Sequence, residues 1–494
     1  MEYVLNACSF LLQPSTLIVV FLGMLVGLLF GIIPGLNGSL AIMLMMPISY
    51  GMSSELAIAF LMAVYIGGTC GGCIAAIMIG IPGTNASIAT VYDGYEMTKN
   101  GEVVRALSAA IVANAFGTIP AVLVALVASK AIASIAIYMG PWEIFSLGMC
   151  AIVMVATLAK DNLVKGLLAA GMGLAFSTVG TSPLDGTFRY VFGNYNLYGG
   201  LNMVYVIMGI FASRIILLEY ARHNSAQKQK LVEVERFCWP TRDIAENKRN
   251  IFESWMIGLW TGFLPGIGPG LANLAAYARA KSTSKHPEQF GHGCVDGIFA
   301  PEVANNASLG GAMIPMIALG IPGDTGTAYL LGALMLHGLE PGPLLFTTNP
   351  NIVNIVFFAS ILAAILALIS QIAGMKIFPK ALNIPYHYLY PAIILCCFIG
   401  VFSSQKTLFA VMMLLIFSAF GIFIAFANLP TAPFVLAFVL GGVLETNFRR
   451  GLTYASNGVW SFLTRPVSAF LLLVALSYIL TPCLKNKFSK KKLG

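Results

Sequence analysis

Long apolar runs separated by short polar stretches fill most of this chain. Their lengths suit helices that cross a membrane, each of which needs about 20 apolar residues. The pattern predicts helices over 16–31, 55–81, 106–128, 143–158, 164–179 and 201–218, then over 352–375, 388–401, 408–426, 432–444 and 466–480. With shorter apolar arms added, this makes roughly 10 to 13 spans and hairpins. Two runs stop where a hydrophobic helix should continue, GLLFGIIPGLNG at 27–38 and GLWTGFLPGIGPG at 258–270. Glycines four apart leave a flat ridge on which another backbone packs closely. The Pro-Gly pair that follows ends the helix. Beyond the first break, apolar sequence lasts only from Leu40 to Pro47, which predicts a re-entrant arm or half-helix. The stretch 92–105 reads as a hydrophilic loop, and 1–13 lacks the basic start of a signal peptide, so the first apolar run reads as a retained helix.

The interruptions come in matched pairs. Gly27, Gly31, Pro34, Gly35, Leu40 and Ala41 recur 231 residues later as Gly258, Gly262, Pro265, Gly266, Leu271 and Ala272. GIPGTNAS at 80–87 recurs as GIPGDTGT at 320–327, and Gly71-Gly72 pairs with Gly310-Gly311, which sets Thr69 against Ser308. The chain therefore divides into a first repeat at 15–220, a solvated linker at 221–250, a second repeat at 251–482 and a basic tail at 483–494. The second half has a surplus of nine residues between its breaks (57 against 48), assigned to the basic loop near 279–290. The loop after the first break is basic in half two (Arg279, Lys281, Lys285) but has no Lys or Arg in half one. The loop after the second break reverses this, with Lys99 and Arg105 in half one only. If basic loops face the cytoplasm, the two repeats lie in opposite orientations.

Composition agrees with the apolar pattern. The chain is 58% hydrophobic and 10% charged, where a soluble domain carries about 25% charged residues. The fold class expected is an all-α polytopic membrane protein. The net charge of +8 is scattered over short loops, the linker and the tail, which places linker and C-terminus in the cytoplasm and gives no nucleic-acid surface. Cys70 and Cys73 form a lone CxxC in glycine-rich apolar sequence and read as packing residues, since a metal site needs a second pair.

The breaks are where chemistry is expected. Helix N-termini suit a carboxylate, and unwound carbonyls suit a small cation. Paired Gly/Pro breaks in corresponding places are the sequence pointer to a carrier's site at the repeat interface. The predicted substrate residues are Pro34, Gly35, Asn37, Gly38, Thr69, Thr84, Asn85, Ser87, Gly268, Asn305, Asn306, Ser308, Thr325 and Thr327. Backbone at Gly35, Gly266 and Gly323, with Asp324 as the one acid in a break, is assigned to a cation. Two other classes compete with the carrier. An intramembrane aspartyl protease needs Tyr-Asp and Gly-x-Gly-Asp; Tyr92-Asp93 fits the first, but Ile321 stands where the second needs glycine. A channel wants a ring of filter residues, which two halves with broken helices do not offer.

The motifs GLLFGIIPGLNG (27–38), GIPGTNAS (80–87), GFLPGIGPGLA (262–272), PEVANNASLGG (301–311) and GIPGDTGTAYLLGALMLHGLEPGPLLF (320–346) resemble the large membrane subunit of bacterial tripartite tricarboxylate transporters. The resemblance runs nearly the whole length. It implies a translocating subunit of elevator type with inverted repeats, a small membrane subunit, a periplasmic solute-binding protein and a citrate-like carboxylate substrate. It also implies a sodium or proton gradient as driver, no organic cofactor, and a bacterial inner membrane as location. Another small anionic solute is the alternative substrate, and self-association is left open.

Overall fold

The computed structural model describes residues 2–158, 163–213, 232–266, 268–384, 386–455 and 457–490. Parts of the predicted linker (221–231), helix (214–218) and tail (491–494) lie outside the described residues, as do the side chains of Asn85, 211–213, 386–389 and 481–490. Numbering only helices of ten residues or more, α1 is Glu2–Leu11, α2 Pro14–Ile32, α3 Gly38–Ser49, α4 Ser54–Ile79 and α5 Ile88–Lys99. Then come α6 (Val103–Ala136), α7 (Pro141–Leu158) and α8 (Leu163–Ser177). The second half carries α9 (Lys248–Phe263), α10 (Gly268–Thr283), α11 (Asp296–Leu319), α12 (Thr325–Leu336), α13 (Pro350–Gly374) and α14 (Tyr386–Gln405). The last three are α15 (Leu408–Phe426), α16 (Thr431–Thr453) and α17 (Pro466–Lys490). Among the described residues six helices (α2, α4, α6, α13, α15 and α16) are long and apolar enough to cross a membrane, or seven with the bent pair ending in α17. The protein is a helical multi-pass membrane protein.

The chain divides into two compact units. The first comprises Met1–Ala133 and Ile216–Ser404, the second Ser134–Ile215 and Gln405–Gly494. Each draws one stretch from either half, so the units cut across the halves read from sequence.

In the first unit, α2 lies along α4 and α9 lies along α11. The glycine ridges set both contacts. A Cβ on Gly27 would strike the Val64 carbonyl, and one on Gly258 the Ala304 carbonyl. Gly31 meets the Gly68 carbonyl, and Gly262 the Ser308 carbonyl. These contacts give the correspondence between α4 and α11 as 240 residues, the spacing of Gly80 and Gly320, both left-handed at φ +69° and +70°. Gly71 therefore answers Gly311, and Gly68, not Thr69, answers Ser308; the doubled glycines at 310–311 had suggested a register one residue off. The nine-residue surplus lies where expected, because α3 reaches α4 across 50–53 whereas α10 reaches α11 across 284–295.

Three expectations change. The stretch 92–105 is not a loop: most of it is helix α5 and the start of α6, and Asp93 is buried within α5. Its carboxylate accepts the backbone N–H groups of Gly291, Gly293 and Cys294 at 2.8–3.0 Å and the Tyr277 hydroxyl at 2.8 Å. The linker is not wholly solvated, since Asp243 is buried beneath Arg105 at 2.6 Å. Helix α1, which the apolar pattern does not predict, packs on α13.

In the second unit, α7 and α8 pack on α16, and α7 also on α17. Phe176 meets Phe417, Phe420 and Phe434 edge-on at 5.2–5.8 Å. A two-stranded antiparallel hairpin, β1 (Gly180–Thr181) with β2 (Phe188–Arg189), follows α8. Arg189 grips Glu445 with two nitrogens at 2.6 and 3.0 Å, and Arg449 reaches Asp185 at 2.7 Å.

Candidate functional site

Each of the four breaks in the first unit is followed by a short helix. At 1.5 Å per residue, α3, α5 and α12 are about 18 Å long, well short of the roughly 30 Å of a bilayer core. The breaks themselves follow from backbone conformation. Gly35, Gly80, Gly266, Gly268 and Gly320 all have φ between +65° and +86°, where a side chain is strained, so each helix ends and the chain redirects.

The short helices associate across the two halves as side-by-side pairs. Ser39 and Thr325, at the N-terminal ends of α3 and α12, lie 3.4 Å apart through their hydroxyls. Ser49 and His337, at the C-terminal ends, lie 3.2 Å apart. The two half-helices are therefore parallel, with their N-termini together. The partner pair behaves alike. The Ala89 N–H donates to Asn273 Oδ1 at 2.8 Å near the starts of α5 and α10, and one turn on Tyr277 donates to Asp93. The pairs are tied to one another, because the Gly266 N–H donates to the Gly323 carbonyl at 2.9 Å and a Cβ on Gly268 would stand 3.6 Å from Asp324 Cβ. Gly83 abuts the Gly31 carbonyl next to the first break.

Most predicted residues thus gather at this convergence, in differing roles. Asn37 caps α3, accepting the Leu40 N–H at 2.8 Å, and Gly38 presses on Gly68. Pro34 is half-buried; Gly35 and Thr325 are exposed. Thr84 and Ser87 lie 3.5 Å apart over Gly72, while the Asn85 side chain lies outside the described residues. Asp324 and Thr327 form a capping box on α12. Asp324 accepts from Thr327 N–H at 2.7 Å, from its hydroxyl at 2.6 Å and from Tyr65 at 2.9 Å, so this acid is engaged in holding the helix start. Others face elsewhere. Thr69 donates to the Tyr65 carbonyl and Ser308 to the Asn305 carbonyl, within their own helices. Asn306 gives its amide hydrogens to Asn114 and the Glu302 carbonyl and accepts from Thr118, which ties α11 to α6.

Sequence reasoning passed over Ser39, Tyr65, Asn273 and Glu302. Tyr65 and Asn273 sit inside helical stretches with no local signal. Glu302 is fully buried, and its burial comes from packing that only the fold creates.

Parallel half-helices, glycine-sealed breaks and a partly exposed polar convergence are the features of a membrane protein of the transporter class. The family model described as the tripartite tricarboxylate transporter TctA family matches residues 17–436, and the chain belongs to that family. It is 32% identical over 483 residues, 97% of this chain and 95% of the relative, to a 52.8 kDa protein of the TAR-I ttuC' 3' region of Agrobacterium vitis. It is also 34% identical over 233 residues, 47% of this chain and 96% of the relative, to a protein of the TAR-II ttuC' 3' region of the same organism. No solved structure matches the chain.

Proposed function

We propose that this chain is the translocating subunit of a secondary carrier that imports a citrate-like di- or tricarboxylate together with a cation. A periplasmic solute-binding protein delivers the substrate, and a small membrane subunit completes the assembly in a bacterial inner membrane. The observation that carries this reading is the parallel pairing of α3 with α12, N-termini together at Ser39 and Thr325. Two helix N-termini at one place present positive partial charge and N–H donors toward an anion, each worth typically 0.3–1 kcal/mol and up to about 2 when partly buried. Asn37, Ser39, Thr84 and Thr325 add neutral hydrogen-bonding groups that release an anion as readily as they take it.

Equivalent contacts at spacings of 231 and 240 residues, and the exchange of partners between halves (α3 with α12, α10 with α5), support the inverted-repeat plan. All four breaks fall in one unit, which suits an elevator-type carrier whose substrate-bearing body moves as one piece. The test is uptake of a panel of labelled carboxylates into vesicles, with and without a sodium gradient and the matching binding protein. Saturable uptake of a di- or tricarboxylate, reduced at least about tenfold by Thr325→Val with Ser39→Ala, is expected. No carboxylate uptake under any condition overturns the reading.

A further inference from the structure

Beneath the convergence lies a second polar cluster that the breaks do not explain. Glu302 on α11 has no exposed surface. One of its oxygens accepts the Thr90 hydroxyl of α5 at 2.5 Å; the other, Oε2, has only the Asn305 amide near it and no hydrogen bond of good geometry. One turn along α11, Asn305 is equally buried; its amide turns toward the Glu302 carboxylate, and neither of its polar atoms completes a hydrogen bond of good geometry. On α10, Asn273 spends its oxygen on the Ala89 N–H, and its amide nitrogen is unpartnered. Two buried acceptor oxygens, Glu302 Oε2 and Asn305 Oδ1, stand without a well-formed hydrogen bond on fully buried side chains, and that is not a packing motif. Buried polar groups are almost always satisfied, and each unmet one costs about 1–3 kcal/mol. A buried carboxylate without a countercharge costs more, so it takes up a proton or a cation instead.

The groups that face it supply no countercharge. From α4 come the thiols Cys70 and Cys73, uncharged and turned to Asn306 Oδ1 and the Cys70 carbonyl. From α5 comes Asp93, already saturated by four donors, and from α10 comes Tyr277, committed to Asp93. Among the described residues Glu302 has no ion-pair partner.

We propose that Glu302, with Asn305, Thr90 and Asn273 around it, is the seat of the coupling cation, a proton or a sodium ion held against Oε2. The oxygens of Glu302, Asn305 and Thr90 are the hard donors a small monovalent cation prefers. Thr90 belongs to α5 and Asn273 to α10, the pair whose N-termini join the substrate convergence, so filling the seat would order the same half-helices that meet the anion. The proposal rests on the carrier reading for the word "coupling", but its test does not need transport.

The experiment is thermal unfolding of the purified, detergent-solubilised full chain without carboxylate, titrated with sodium chloride against choline chloride at several pH values. A sodium site gives a saturable rise in Tm with sodium at constant ionic strength. A proton site gives no sodium effect but a Tm that falls as pH rises. Glu302→Gln, neutral and nearly isosteric, should abolish whichever response the wild type shows. Asn305→Ala should weaken the apparent sodium affinity roughly ten- to hundredfold, or shift the pH midpoint, and keeps the test decisive if Glu302→Gln does not fold. A response that survives unchanged in both variants, or a wild type indifferent to sodium and to pH, overturns the proposal. Ion indifference alongside intact carboxylate uptake would sink this inference alone; an ion response with no uptake of any carboxylate would sink the proposed function instead.

Discussion

At the residue scale, single atoms decide what each break glycine tolerates. A methyl group on Gly31 would lie against the Gly68 carbonyl, with backbone on both sides and nothing flexible to yield. Gly31→Ala is expected to force α2 from α4 and cost about 1–3 kcal/mol, read as a lowered Tm of the purified protein. Gly51→Ala, with nothing within 4 Å of the added methyl, should leave Tm unchanged. Asp324 gives a sharper contrast. If its work is capping, Asp324→Asn should keep the fold, while Asp324→Ala loses the cap and its bond to Tyr65, a cost of about 0.5–2 kcal/mol visible in the same melt. Break residues such as Gly35, Gly80 and Gly266 were legible in the sequence because a glycine and proline pair inside apolar sequence acts locally. Glu302 was not legible as a site. It stands in a quoted polar run, and only the approach of α5 and α10, distant in the chain, buries it fully and leaves its second oxygen without a hydrogen bond of good geometry.

At the element scale, the half-helices are held by a few specific polar ties. Asp93 is the strongest, because three N–H groups of the turn before α11 converge on one of its oxygens. Asp93→Ala strands those donors and the Tyr277 hydroxyl, at about 1–3 kcal/mol for each one left buried. Faster hydrogen exchange across 284–295 and a lowered Tm are expected, with Asp93→Asn milder since it keeps one acceptor oxygen. The sequence read this stretch as a polar loop because α5 carries Tyr92, Asp93, Glu96 and Lys99 within one short segment. Its helical face becomes clear only once Asp93 turns inward and Lys99 pairs with Glu96 at 2.7 Å on the surface. Long spans such as α15, by contrast, were read to the residue, since lipid-facing sequence is apolar all round and ends where polar residues begin.

At the scale of the whole molecule, cysteine chemistry tests the proposed sidedness. Cys238 lies exposed in the linker. If that linker is cytoplasmic, a membrane-impermeant maleimide should label the Cys238 peptide in inverted vesicles and not in right-side-out ones, as read by mass spectrometry. Cys294 is an internal control. Burial, and then the charge of Asp296, push its thiol up to about 11, so little thiolate exists at pH 7.5 and labelling should be slow from either side, rising as pH climbs. Pairing of the halves was visible in the sequence from the matched breaks, but the partition into two compact units was not, because it depends on which helices touch. That partition bears on how the molecule is made. The stretch Met1–Ala133 leaves the ribosome long before Ile216–Ser404, the stretch that completes its unit. Until translation reaches those residues, α3 and α5 wait in the bilayer without α12 and α10, their eventual neighbours. A nascent chain stalled near residue 215 would present two bare half-helices to membrane quality-control proteases, and supplying 216–494 as a separate polypeptide should rescue it from degradation.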